Sequence, residues 1–95
     1  MKQEVFNQVT KRVTNKTKVG KKELFTKTKK QDIVDARQIL FWLCRDAGIS
    51  VSYIQKFAKH NGLSITHSTI IHGVNRMNNM MEEDDYVKQL ITSLS

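Results

Sequence analysis

Apolar residues along this chain recur at intervals of three and four rather than two, so the sequence reads as helical throughout. Val5, Val9 and Val13 stand at i, i+4 and i+8 with Phe6 beside them, which predicts an amphipathic helix over about residues 4–14. "TNKTKVGKK" interrupts the pattern, "ELF" predicts a short helical turn, and "TKTKKQ" follows as a basic stretch. The best-defined helix runs from about Asp35 to Ala47. Its "ILFWLC" is apolar on nearly every side, as expected of a central buried helix. A six-residue apolar run also suits a buried strand, but strong helix formers flank this one and Gly48 follows as a C-cap. Asp35 and Gln38 have capping-box spacing, with Asp32 as a competing N-cap.

In "GISVSYIQKFAKHNG", Ser50 is the expected N-cap, Val51, Ile54 and Ala58 the core stripe, and Gly62 the terminator. Ile70, Val74, Met77 and Met81 then recur at i, i+4, i+7 and i+11, on a helix capped by Thr66 or Ser64. A last helix opens on "EEDD", acidic residues that suit the positive end of a helix dipole, and buries Val87, Leu90 or Ile91, and Leu94. No internal repeat or low-complexity segment breaks the series. The expected fold is all-α, about six helices, in a single domain over residues 1–95. Within it, residues 1–31 form a basic N-terminal helix and Lys-rich segment, 50–80 a helix-turn-helix, and 82–95 a C-terminal helix.

Charge adds the partner. The net charge is +7, which favours a polyanion, either nucleic acid or a membrane face. It is unevenly spread. Residues 1–30 carry ten Lys/Arg against Glu4 and Glu23, whereas residues 63–95 carry Arg76 and Lys88 against Glu82, Glu83, Asp84 and Asp85. One end of the chain therefore suits a polyanion and the other does not. The longest apolar run, Ile39 to Cys44, falls far short of the roughly 20 residues a membrane helix needs. No signal-peptide pattern opens the chain, and the single cysteine allows no intrachain disulfide, so a reducing cytoplasm is the expected compartment.

Enzymatic readings find no support in the residues. Cys44 lies in the apolar run as an expected inert core thiol, and His60, His67 and His72 lack zinc-site spacing beside it. No catalytic constellation, metal or cofactor is expected. Trp42, Phe41 and the methionines read as core, and His72 as a helix-packing residue.

Two helices joined by a short Gly-containing turn, on a basic chain, suggest a helix-turn-helix. The helix of residues 50–59 would support and Thr66–Met80 would read. With Ile70, Val74 and Met77 facing inward, His67, Ser68 and Thr69 emerge at the helix N-terminus, the part that enters a major groove. Such hydroxyls can meet base edges or phosphates, and a Thr methyl can pack on a thymine methyl; polar residues there also serve simply as caps.

The string "THSTIIHGVNRM" resembles the signature segment of the C-terminal DNA-binding domain of the bacterial chromosomal replication initiator DnaA. That segment has Asp-His-Thr-Thr, two aliphatics, His, a small residue and a basic pair. "ARQILFWL" resembles the family's Arg-Gln before an apolar central helix, and "EVFNQV", "KKELF" and "TKTKK" resemble its opening helix, turn and basic stretch, in order. The resemblance implies a Trp-repressor-like, DnaA C-terminal-domain-like fold that binds double-stranded DNA as a monomer. It implies major-groove contacts from Thr66, His67, Ser68 and Thr69, and a minor-groove contact from Arg37. Backbone contacts are expected from Lys27, Lys29, Lys30, Ser64 and Arg76, which would make affinity salt-sensitive without carrying sequence information.

The sequence also departs from that pattern. Where the family has Gly-Gly-Arg-Asp, this turn is the longer "AKHNGLSIT", and Thr66 replaces the base-contacting Asp. Ala36 stands for a Pro at the first helical position, where either residue is accommodated. The sequence has no GxxxxGK[ST] phosphate loop, so the expectation is a stand-alone module without ATPase activity, of bacterial or phage origin, that controls replication initiation or transcription. Two other classes stay open. One is an interaction module that keeps the fold but no longer reads DNA, binding a replication or phage protein through the acidic C-terminal helix or the Met80/Met81 surface. The other is purely electrostatic binding to DNA or RNA.

Overall fold

The computed structural model describes residues 1–95 and contains six helices. They are α1 (Lys2–Thr17), α2 (Lys21–Leu24), α3 (Gln31–Asp46), α4 (Val51–His60), α5 (His67–Glu83) and α6 (Asp85–Leu94). Helix α3 touches all five others, the position its nearly all-round apolar sequence demands. Ile33, Ala36, Ile39, Leu40, Phe41, Leu43 and Cys44 are all buried along it. Phe6, Val9 and Val13 of α1 close one side, Phe6 packing on Phe25 and Phe57 with ring centroids 5.9 and 5.2 Å apart. Phe57 lies outside the stripe expected for α4, yet it is buried beside Ile54 and Ala58.

Helix ends follow local chemistry where a side chain or glycine dictates them. Gly48 adopts φ 88° after α3, and the Ile49 N–H returns to Cys44 O at 2.9 Å; Gly62 repeats the device at φ 100°, with Leu63 N–H on Ala58 O at 2.9 Å. Ser50 caps α4 by accepting from Tyr53 N–H, and Thr66 caps α5 by accepting from Thr69 N–H at 3.2 Å.

Three boundaries differ from expectation. Helix α1 continues to Thr17, beyond the last apolar residue of its stripe, because its polar final turn runs over the surface and closes through Lys18 N–H on Thr14 O. Helix α3 begins at Gln31 rather than Asp35, since Ile33 is buried one turn before Ala36 and extends the core stripe backward. Asp35 is therefore not a cap; it lies inside the helix, accepting from Gln31 Nε2 at 2.7 Å. The acidic run is split. Glu82 and Glu83 end α5, and Asp84 caps α6 by accepting from Tyr86 N–H at 2.9 Å. Ile91, not Leu90, fills the buried position of α6.

Trp42 is only half-buried and donates its indole N–H to Asn78 Oδ1 at 2.6 Å, and His72 is exposed rather than packed between helices. No helix is long and apolar enough to cross a membrane.

Cys44 is fully buried, and burial pushes its thiol up to about 12. The folded protein is therefore expected to ignore a disulfide-exchange reagent at pH 8 and to react fully in denaturant, checked by thiol titration. The unfolded thiol ionises near its ordinary value of 9.0 while the folded one keeps its proton to about 12. Stability is accordingly complete below pH 9 and declines as pH rises through that interval.

Candidate nucleic-acid interface

The reading turn is built from the end of α4 onward. Gly62 reverses the chain, Leu63 anchors it in the core, and Gln55 Nε2 donates to Ile65 O at 2.7 Å. This hydrogen bond ties α4 to the turn and fixes where α5 begins. At that start Thr66 Oγ1 lies 3.0 Å from Thr69 Oγ1, so the two hydroxyls orient one another while His67 and Ser68 stand exposed between them. No acidic residue occupies the first turn of α5, leaving its unpaired amides and dipole open to an anion.

Opposite this turn lies the basic loop after α2. An open cleft of about 590 Å³ separates them. Lys27, Thr28 and Lys29 form one wall, Ser64, Thr66 and Thr69 the other, and Arg37 the floor. Sequence positions some forty residues apart are thus brought to two sides of one groove. Lys30 is exposed at the end of the same loop, as the N-cap residue of α3.

Arg37 is placed differently from expectation. It is only 8% exposed, and its Nε donates to Leu24 O at 3.0 Å while Nη2 donates to Thr26 O. Burial lowers its pKa from the ordinary guanidinium value. A cation withdrawn from water needs compensating acceptors, and the two carbonyls at the end of α2 provide them. In this conformation Arg37 ties the basic loop to α3 at the floor of the cleft.

Arg76 also differs. Its Nη1 sits 2.6 Å from both Asp35 Oδ1 and Gln38 Oε1, linking α5 to α3. It lies nine residues after His67, roughly 13 Å along the helix at 1.5 Å per residue. Arg76 thus makes an interhelix contact that the sequence did not show, on the face of α5 turned toward α3. Gly73 lies between the same helices. A Cβ there would meet Gln38 Cγ at 2.9 Å and Phe41 Cδ2 at 3.4 Å, so any side chain larger than glycine's hydrogen obliges Gln38 to shift.

Two features of the site escaped sequence reasoning. Ile71 is 47% exposed, four residues after His67 and three after Ser68, hence on their side of the helix. In the sequence it is masked by Ile70, the neighbouring isoleucine that belongs to the core. Lys56 and Lys59 are exposed on α4, and with Ser52 and Gln55 they line a second cleft that shares Ser64 and Ile65 with the first. Their i, i+3 spacing was legible, but nothing in the sequence placed them beside the turn.

A family model described as the bacterial DnaA protein helix-turn-helix matches residues 6–77. The chain belongs to the bacterial DnaA helix-turn-helix family. It is similar to the chromosomal replication initiator protein DnaA of Streptococcus agalactiae serotypes Ia, V and III, with 34% identity over 67 residues in each case. That alignment covers 70% of this chain and 14% of each relative, so the chain spans only a small part of the length of these DnaA proteins. No solved structure matched the chain. The match runs from Phe6 to Met77, so the DnaA family segment takes in α1 after its first turn, α2 to α4, the reading turn and the first eleven residues of α5. The last turns of α5 and all of α6 lie beyond it.

Proposed function

We propose that this DnaA-type domain reads duplex DNA by sequence, placing the start of α5 in the major groove while the Lys27–Lys30 loop grips the adjacent backbone. The observation that carries the reading is the single cleft whose walls are the basic loop and the first turn of α5. His67, Ser68 and Thr69 offer polar groups to base edges, and the exposed Ile71 offers an apolar contact of the kind a thymine methyl accepts. Thr66 serves chiefly as the cap that holds the Thr69 hydroxyl in place. Ser64, exposed on the turn, adds a hydroxyl for the backbone. Arg37 acts through the loop it holds, in place of the minor-groove reach first expected. The DnaA relatives are named as chromosomal replication initiators. On that basis the module controls replication initiation or transcription by occupying DNA, without ATPase activity.

The test is fluorescence anisotropy with a labelled duplex carrying an initiator-type box, beside a scrambled duplex, across a salt series. The box is expected to bind at least about tenfold more tightly, a preference of about 1.4 kcal/mol. Thr69→Ala removes a hydroxyl and methyl aimed at the groove and should erode about 1 kcal/mol or more of that preference, with little change in binding to the scrambled duplex. Equal affinity for the two duplexes would reduce the domain to an electrostatic binder. Absence of binding to either at low salt would leave the protein-interaction reading in its place.

A further inference from the structure

We propose that Asp35 sets the strength of DNA binding by cancelling the charge of Arg76, a cation it holds back at the edge of the reading helix. The inference rests on the duplex-binding reading and goes beyond it to an acidic residue that reading does not use. Arg76 follows Thr69 by seven residues, close to two full turns, so the two share one stripe of α5. Thr69 lines the cleft between the reading turn and the basic loop. A major groove is about 8.5 Å deep. A helix entering it by the N-terminus therefore passes the phosphate backbone roughly two turns later, at the level of Arg76.

Arg76 differs from the other cations of this chain in being paired, its 2.6 Å contact with Asp35 being the protein's one salt bridge. Both hydrogens of Nη1 are engaged, one by Asp35 Oδ1 and one by Gln38 Oε1, each at 2.6 Å. Nε and Nη2 meet no protein acceptor, yet neither is sealed from water, and the side chain is 34% exposed. The guanidinium thus turns a free edge of donors to solvent, of a shape that fits a phosphate. The carboxylate behind it removes the net charge. Binding to a duplex draws on positive charge that displaces condensed counterions, and a neutral pair displaces none. Asp35 is itself held in place, accepting from Gln31 Nε2 at 2.7 Å. It is 36% exposed, and an ion pair so open to water adds little to folding stability. Its effect falls instead on affinity. By silencing a backbone cation, Asp35 keeps a contact that carries no sequence information from strengthening every site alike.

The experiment compares wild-type protein with Asp35→Asn, Arg76→Gln and the double variant, on box and scrambled duplexes, by anisotropy over a salt series. Asparagine keeps an oxygen for Arg76 and Gln31 while removing the charge, so the melting curve of Asp35→Asn should stay close to that of wild type. Its slope of log affinity against log salt should steepen by about 0.9, the value of one phosphate contact. Its advantage over wild type should then grow about 3.5-fold as salt falls from about 200 to about 50 mM. Box and scrambled duplexes should gain alike. Arg76→Gln alone should keep the wild-type slope, and the double variant should lose the whole gain. The inference is overturned if Asp35→Asn keeps the wild-type slope, if its gain survives in the double variant, or if Arg76→Gln alone flattens the slope by about 0.9. An Asp35→Asn protein that melts far below wild type also overturns it, since the carboxylate would then serve the fold. In each of those cases wild type still prefers the box and the duplex-reading conclusion stands; a wild-type protein that binds no duplex brings down both.

Discussion

Replacing Arg37 by alanine is expected to cost about 3 kcal/mol of stability, since hydrogen bonds from a charged donor contribute roughly 1.5–3 kcal/mol and their loss leaves buried acceptors unpaired. The acceptors are Leu24 O and Thr26 O, and Leu24 itself is fully buried, so water has poor access to replace the guanidinium. In a domain of this size that loss should lower the melting temperature by roughly 12–24 °C in circular dichroism. The loop carrying Lys27 and Lys29 would lose its anchor, and affinity for box and scrambled duplexes should fall together, with amide exchange rising across residues 26–30. Arg37→Lys should recover less than half of either loss, because a single ammonium on a flexible stem cannot reproduce the planar fork that serves both carbonyls. A variant that melts like wild type but loses box preference would instead show that Arg37 leaves its carbonyls and touches the bases.

Gly73→Leu is expected to damage the domain by a different route. Its Cβ alone would lie 2.9 Å from Gln38 Cγ, a mid-chain atom of a side chain that is 8% exposed and whose Oε1 is held by Arg76. Gln38 cannot swing aside without breaking that bond, and Phe41 closes the other direction at 3.4 Å. Overpacking of this kind costs about 1–3 kcal/mol and, for a side chain as large as leucine, forces the backbones apart. The separation would fall on the α3–α5 seam, where Asp35–Arg76 and Trp42–Asn78 also cross. Chemical denaturation should therefore show a loss of about 3 kcal/mol. Whatever folded fraction remains should show a weakened box preference, because the reading helix is tilted relative to the basic loop. Gly73→Ala is the graded control: its gain of about 1 kcal/mol in helix propensity opposes the push on Gln38, so it should lie much closer to wild type. Equal behaviour of the alanine and leucine variants would mean that the seam yields freely and does not set the angle of α5.

Arg37 and Arg76 illustrate the limit of reading surface chemistry from sequence. Both are arginines on a basic chain for which the family resemblance implies DNA contacts, and both make contacts within the protein that the sequence did not show. Arg37 reaches back 13 and 11 residues to carbonyl oxygens, and Arg76 reaches across 41 and 38 residues to α3. No periodicity encodes such partners, since a backbone carbonyl has the same identity at every residue and only the fold decides which one is within reach. Ile71 shows the converse. It directly follows the core position Ile70, and the 100° that this one step turns on a helix makes it a surface group.

The elements themselves were fixed locally. The helical period, the Ser50 and Thr66 caps, the glycine stops at 48 and 62, the charge gradient and the order of motifs are properties of neighbouring residues, and each appears in the structure where the sequence put it. They sufficed for an all-α, six-helix domain and for the DnaA family. Tertiary structure decided what depends on distance through space: that the 27–29 loop faces Thr69 across one cleft, that Arg37 is its floor, and that Lys56 and Lys59 share a wall with the reading turn. Caps and stripes arise from backbone geometry within a few residues, whereas a groove exists only once α3 has brought the helices around it together.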